Sequence, residues 1–207
     1  MTTHGDCWGQ RPRDLARVRF VSGHIGYDFA RHLMRHRYSF TFLREPTERI
    51  LSMYHFCRSR DPRKFIIYQR AHELELEEFL RAGFTDPWVK KNIWNNQVWQ
   101  LAHGYAHLDK RTINDFDETQ LLSLAKHHLD ELSFVGFTET FQSDAVVVLN
   151  ALALPSATKI TRTNVTHLRP RRDDLSSATV ALLDELTQLD QQLYRHAMSR
   201  KSVGGST

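Results

Sequence analysis

Apolar and polar positions along this chain change period several times. Short runs of β-branched and aromatic residues alternate with longer stretches whose apolar residues recur three or four apart. The first such run, RVRFVSG from Arg17 to Gly23, is β-prone and closes on a glycine. YSFTFL, Tyr38 to Leu43, and SFVGF, Ser133 to Phe137, have the same character. Between and after them the spacing predicts helices. YDFARHLMRHR has Tyr27, Phe29, Leu33 and Met34 at loosely helical spacing, and the next helix opens at Pro46 with Ile50, Met53, Tyr54 and Cys57 on one side. HELELEEFLRAG predicts a helix stopped by Gly83, and DPWVKKNIWNNQVWQLAHG one helix from an Asp86 cap to near Gly104. Three more follow: DETQLLSLAKHHLDEL; TETFQSDAVVVLNALAL, capped by Thr138 or Thr140; and one long final helix from Ser176 to Arg200. Three short strands among many helices predict an α/β fold with a small parallel sheet flanked by helices.

Composition narrows this without changing it. The 207 residues are 41% hydrophobic and 25% charged, both near globular averages, and suffice for one domain with a sizeable core. The expected division is a single domain over residues 1–200 and a disordered, Ser- and Gly-rich tail over 201–207. The formal charge of +4 and pI near 9.2 accommodate phosphate, sulfate or nucleic-acid partners and select none of them. Two cysteines, Cys7 and Cys57, make no disulfide framework, so a reducing, cytoplasmic setting is expected. No apolar run approaches the ~20 residues of a membrane span, and the first residues lack a signal-peptide core.

The sharpest chemical feature is YSFTFLREPTERILSMYHF. Arg44 falls at the carboxyl end of a predicted parallel strand, where open α/β sheets bind ligands. The helix from Pro46 aims its amino-terminal N–H groups at the same place, and a guanidinium fork there grips an anion with two parallel hydrogen bonds. Ser52, further along that helix, adds a hydroxyl donor if a phosphate lies beside the helix. The competing interpretation makes Arg44, Glu45, Glu48 and Arg49 a solvated cap with pairs along the helix.

FTFLREPTERILSMYHF closely resembles the 3′-phosphate motif of the sulfotransferases, most clearly the carbohydrate branch that includes heparan sulfate 2-O-sulfotransferase. The resemblance extends in order through VSGHIGYDF, LSFVGFTETFQSDAVVVLNAL, TRTNVTHLRP and LDQQLYRHA, from about Val18 to His196. It implies a sulfotransferase fold of the P-loop NTPase type. It also implies a sulfuryl donor, PAPS (3′-phosphoadenosine 5′-phosphosulfate), a hydroxyl acceptor of carbohydrate type and no metal. By the same resemblance Arg44 and Ser52 hold the 3′-phosphate, Arg49 braces the loop, and His24 is the catalytic base facing the acceptor. Asn164 and Arg169 contact the nucleotide from the cationic loop of residues 155–174, which acts as a lid.

Other features carry less. HELELEEFL lacks the second histidine of a zinc motif, and His127 and His128 are expected on the surface. Trp88, Trp94 and Trp99 are expected in the core. The basic residues are not gathered with exposed aromatics in a nucleic-acid module. NNQVWQLAHG lacks the arginine that relatives carry in this region. The family's amino-terminal strand and loop, approximately PKTGGTSL, has no counterpart among the 207 residues. The expectation is therefore a domain without its first strand, weak in PAPS binding and turnover, with an open sheet edge that invites oligomerisation. The alternative is a non-catalytic protein of the same fold that binds an anion or nucleotide.

Overall fold

The structure is a computed structural model describing residues 2–4, 11–104, 117–155 and 172–204. Its strands are β1 (Thr2–His4), β2 (Phe20–Ser22), β3 (Phe40–Leu43) and β4 (Phe134–Phe137). The helices up to β4 are α1 (Gly26–Met34), α2 (Pro46–Arg58), α3 (Ile66–Glu73), α4 (Leu76–Thr85), α5 (Pro87–Ile93), α6 (Asn96–Ala102) and α7 (Glu118–Asp130). After it come α8 (Phe141–Ala151), α9 (Ser177–Leu186) and α10 (Gln188–Gly204). The small parallel sheet and surrounding helices are those of the expected α/β class. The fourth strand, β1, falls in a segment whose sequence carries no strand pattern.

The described strands form two separate two-stranded parallel sheets. β1 lies beside β2, with Thr2 opposite Phe20, and β3 lies beside β4, with Phe40 opposite Phe134 and Leu43 opposite Phe137. Helix α1 connects β2 to β3. Arg37, just before β3, donates to the carbonyls of Val18 (2.9 Å) and Ala16 (2.5 Å), just before β2. The Phe20 and Phe40 rings stack with centroids 6.4 Å apart. The amino ends of β2 and β3 are therefore held side by side.

One core cluster joins Leu43 of β3 and Phe137 of β4 to Val98, Leu129 and Leu193 from α6, α7 and α10. Another gathers Ile50, Leu51, Phe79, Ile93 and Leu186 from α2, α4, α5 and α9. Full burial of one such side chain contributes roughly 1.5–3 kcal/mol, so the face of α2 carrying Ile50 and Leu51 anchors that helix firmly.

Helix boundaries depart from the periodic pattern at instructive places. Gly83 lies inside α4 and does not stop it; a Cβ there would meet Ile93 Cδ1 at 2.7 Å and Leu186 Cδ2 at 2.9 Å. Its function is close packing. The single helix expected between Asp86 and Gly104 breaks at Asn95, which adopts the left-handed conformation (φ 39°, ψ 44°). The expected final helix breaks at Thr187. These breaks cap each other. Asn95 Oδ1 accepts from the amides of Leu189 (2.8 Å) and Asp190 (3.1 Å) at the start of α10. In return the Asp190 carboxylate accepts from Gln97 N (3.2 Å) and Val98 N (2.7 Å) at the start of α6.

Three lesser expectations also meet the structure. Asp86 caps α5 through Trp88 N and Val89 N, with Pro87 as the first helical residue. Trp99 is buried and Trp94 partly so, but Trp88 is exposed, with the Lys91 ammonium 3.8 Å from its ring centroid. His128 is not a plain surface residue. Its ring stacks on Tyr27 at 3.6 Å and its Nδ1 lies 2.8 Å from the Leu101 carbonyl, whereas His127 is exposed.

Candidate active site

The carboxyl ends of β2 and β3 open into one cleft of about 660 Å³, within the usual range for ligand sites. Gly23 and His24 line it from β2, Arg44 from β3, and Asn96, Gln97 and Gln100 from α6. His24 and Arg44, more than a dozen residues apart in sequence, thus face the same space.

Two close backbone approaches build the β2 side. Gly104, at φ +84°, would place a Cβ 2.4 Å from Gly26 Cα, so α1 and the end of α6 meet at glycines. His103 O accepts from Asp28 N (3.1 Å), and the buried His103 ring pairs through Nδ1 with the Asp28 carboxylate. Tyr27, on the cleft wall, hydrogen-bonds through its hydroxyl to Glu131. Burial, with the neighbouring Glu131 carboxylate, pushes the Tyr27 phenol up to about 12. His24 itself is exposed at the mouth.

The β3 side is held by a side chain that mimics a strand. Gln97 Oε1 accepts from Arg44 N at 2.9 Å while Gln97 Nε2 donates to Arg44 O at 2.9 Å. Both main-chain groups of Arg44, a half-buried residue, are therefore fixed where β3 ends, and its side chain starts from a rigid base. Gln97 is positioned in turn by Asp190, the wholly buried carboxylate at the start of α10. Burial pushes Asp190 up to about 6, against the opposing pull of the Val98 amide, the Arg49 charge and the Gln97 amide.

Arg49 lines the cleft but directs its guanidinium to the Asn92 carbonyl (3.1 Å) and to Asn96 Oδ1, matching a bracing role. Ser52 is half-buried on α2 and is not part of the cleft wall among the described residues. Asn164 and Arg169 lie outside the described residues. Arg172, at the end of the same basic loop, grips Asp184 with two bonds of 2.7 Å and donates to Thr47 Oγ1 at 3.0 Å. It ties the loop's end to the first turn of α2.

The helix pole behind Arg44 is partly occupied. Glu45 caps α2, its carboxylate accepting from Glu48 N at 2.7 Å. Gln97 is the site residue that sequence reasoning missed. Nothing in its local pattern marks it, since its partner Arg44 is 53 positions away.

The fold and cleft define a class: an α/β protein with an arginine at a parallel-strand tip and an exposed histidine at the neighbouring tip. A profile described as the sulfotransferase family matches residues 23–198, most of the chain. The chain belongs to the sulfotransferase family. No curated protein matches it.

Proposed function

We propose that this protein transfers a sulfuryl group from PAPS to a hydroxyl acceptor, with carbohydrate as the acceptor class. The observation that carries this is the convergence of Arg44 and His24 on one cleft at the carboxyl ends of parallel strands. When bound, PAPS supplies the activated sulfuryl group. The chain's own part is to bind and orient it and to move a proton.

The residues suit the 3′-phosphate half of such a donor. Arg44 is a fork on a fixed base, and fork geometry matches a phosphate with two parallel bonds. Arg49 adds positive charge to the same wall while bracing α2 against α5 and α6. Ser52 stands three residues beyond Arg49 on α2, just under one turn, and serves the phosphate only from beside the helix. His24 accepts the proton of the acceptor hydroxyl, general-base work typically worth ~10²–10⁴-fold in rate. Its exposed place at the mouth leaves room for an acceptor. Asn164 and Arg169 are proposed to contact the nucleotide from the basic loop.

The 5′-phosphosulfate half is less well provided. No segment of the 207 residues resembles the KTGGT-type loop, so weak donor binding and slow turnover are expected of this chain. That same feature favours a second reading, an anion- or nucleotide-binding member of the family without catalysis.

Calorimetry with adenosine 3′,5′-bisphosphate tests both. Saturable binding is expected, weakened ~10–100-fold in Arg44→Ala, corresponding to charge-assisted bonds of about 1.5–3 kcal/mol. Arg44→Lys restores charge without the fork and recovers only part of the affinity. Unchanged binding in Arg44→Ala defeats the assignment. Transfer of labelled sulfate from PAPS, lost in His24→Ala, separates the enzyme from the binding protein.

A further inference from the structure

Away from the cleft, exposed hydrophobic side chains gather at two helix starts. Phe65, immediately before α3, is 59% exposed, the highest value for a large hydrophobic side chain among the described residues. Ile66, the first residue of α3, and Trp88, in the first turn of α5, are exposed as well. Single exposed hydrophobic residues are ordinary on a protein surface. These three are not scattered. Arg70, one turn after Ile66 on the same face of α3, donates to Asp86 at 2.8 Å, and Asp86 caps α5 through Trp88 N. That pair ties the two helix starts together.

A braced turn displays Phe65. The Asp61 carboxylate accepts from Arg63 N at 3.1 Å and takes the Arg63 guanidinium with two bonds of 3.0 Å, while Lys64 N donates to Asp61 O at 3.1 Å. Nε2 of His72, on α3, lies 2.9 Å from the Arg60 carbonyl. The Phe65 ring meets Tyr68 edge-on, with centroids 5.1 Å apart. Phe65 is therefore held out to water from a fixed support.

Cations surround these apolar residues. Arg60, Arg63 and Lys64 precede Phe65, with Asp61 balancing Arg63, and Lys90 and Lys91 follow Trp88. The Lys91 ammonium sits 3.8 Å from the Trp88 ring centroid. Lysine is depleted at the centres of protein–protein interfaces, whereas an anionic bilayer attracts it. Apolar and aromatic side chains set among cations match the headgroup boundary, where the apolar part enters and the charge meets lipid phosphate.

We propose that the starts of α3 and α5 form a docking face for an anionic phospholipid bilayer. Phe65 and Ile66 enter the headgroup boundary, Trp88 lies beside them at headgroup level, and Lys64 and the neighbouring cations meet the lipid phosphates. The association is with the surface, as no helix among the described residues is long and apolar enough to cross a membrane. Phe65, Ile66, Lys64 and Trp88 do not line the cleft, so this docking face does not depend on the nucleotide assignment.

The test is flotation of the 207-residue protein with vesicles of phosphatidylcholine alone or with about 30% phosphatidylserine, in about 0.1 M salt. Binding to the anionic vesicles is expected, about tenfold or more weaker on neutral vesicles, in about 0.5 M salt and in Phe65→Ser/Ile66→Ser. Lys64→Glu is expected to weaken it about tenfold, whereas Arg35→Glu, at an exposed cation beyond α1, leaves it within about twofold. Thermal melts check that the variants fold, and Lys64→Glu keeps the test decisive if the double variant does not. The proposal is overturned by no binding at about 1 mM anionic lipid, by equal binding to neutral vesicles, or by undiminished binding of folded Phe65→Ser/Ile66→Ser. Equal losses in Arg35→Glu and Lys64→Glu also overturn it, because they mark general attraction of a basic protein. So does a lipid-free dimer that Phe65→Ser/Ile66→Ser dissolves, since a second copy then occupies the face.

Discussion

Truncating Gln97 to alanine tests whether a single amide side chain sets the position of Arg44. Gln97 is 8% exposed and makes two 2.9 Å bonds to the main chain of Arg44, one as donor and one as acceptor. Removing it leaves an N–H and a C=O without those partners. A buried unsatisfied group costs roughly 1–3 kcal/mol. Arg44 is only half-buried and water from the cleft reaches part of the vacated space, so the lower end applies to each group. The expected loss is about 2 kcal/mol, or a Tm lowered by about 4–8 °C for a domain of this size. The second effect is on binding. With its main chain released, the Arg44 guanidinium starts from a mobile base, and affinity for adenosine 3′,5′-bisphosphate is expected to fall about tenfold. Gln97→Glu keeps the acceptor and loses the donor, and is expected to fall between wild type and Gln97→Ala in stability. Thermal melts and calorimetry on the three proteins supply the comparison. A Gln97→Ala protein that melts within 1 °C of wild type and binds the bisphosphate equally well would refute the reasoning.

The remaining predictions concern stability and reactivity. Asp190 has a folded pKa raised to about 6, so its contribution is fully present below its ordinary value and is lost as pH rises through about 6. The wild-type minus Asp190→Asn difference in urea stability should therefore decline by up to about 3 kcal/mol between pH 4 and 7; a flat difference rules this out. Gly104→Ala combines a positive φ with a Cβ 2.4 Å from Gly26 Cα, and should cost about 2–5 kcal/mol by denaturant titration. Cys57 is 1% exposed and burial pushes its thiol up to about 12, so mass spectrometry should show it unalkylated at neutral pH until the protein unfolds.

Much of the architecture is local chemistry and is visible in the chain. Pro46 and Pro87 open helices because a residue lacking N–H costs nothing at the first helical position, and Asp86 caps because its carboxylate reaches the next amides. The aromatic and β-branched runs containing Phe40–Leu43 and Phe134–Phe137 become strands, and Arg44 follows one of them at the tip that faces the cleft. Those features depend on neighbours a few positions apart, so the sequence alone determines them. Tertiary structure decided the rest. The breaks at Asn95 and Thr187 exist because two helix starts distant in sequence exchange caps through Asn95 and Asp190. Helical period cannot register a partner on another element. Gly83 is read locally as a stop, yet Ile93 and Leu186 make it a contact point. The meeting of His24, Arg44 and Gln97 belongs to the same class: each sits on a different element, and only the packing of α6 against the ends of β2 and β3 turns three unremarkable positions into one site.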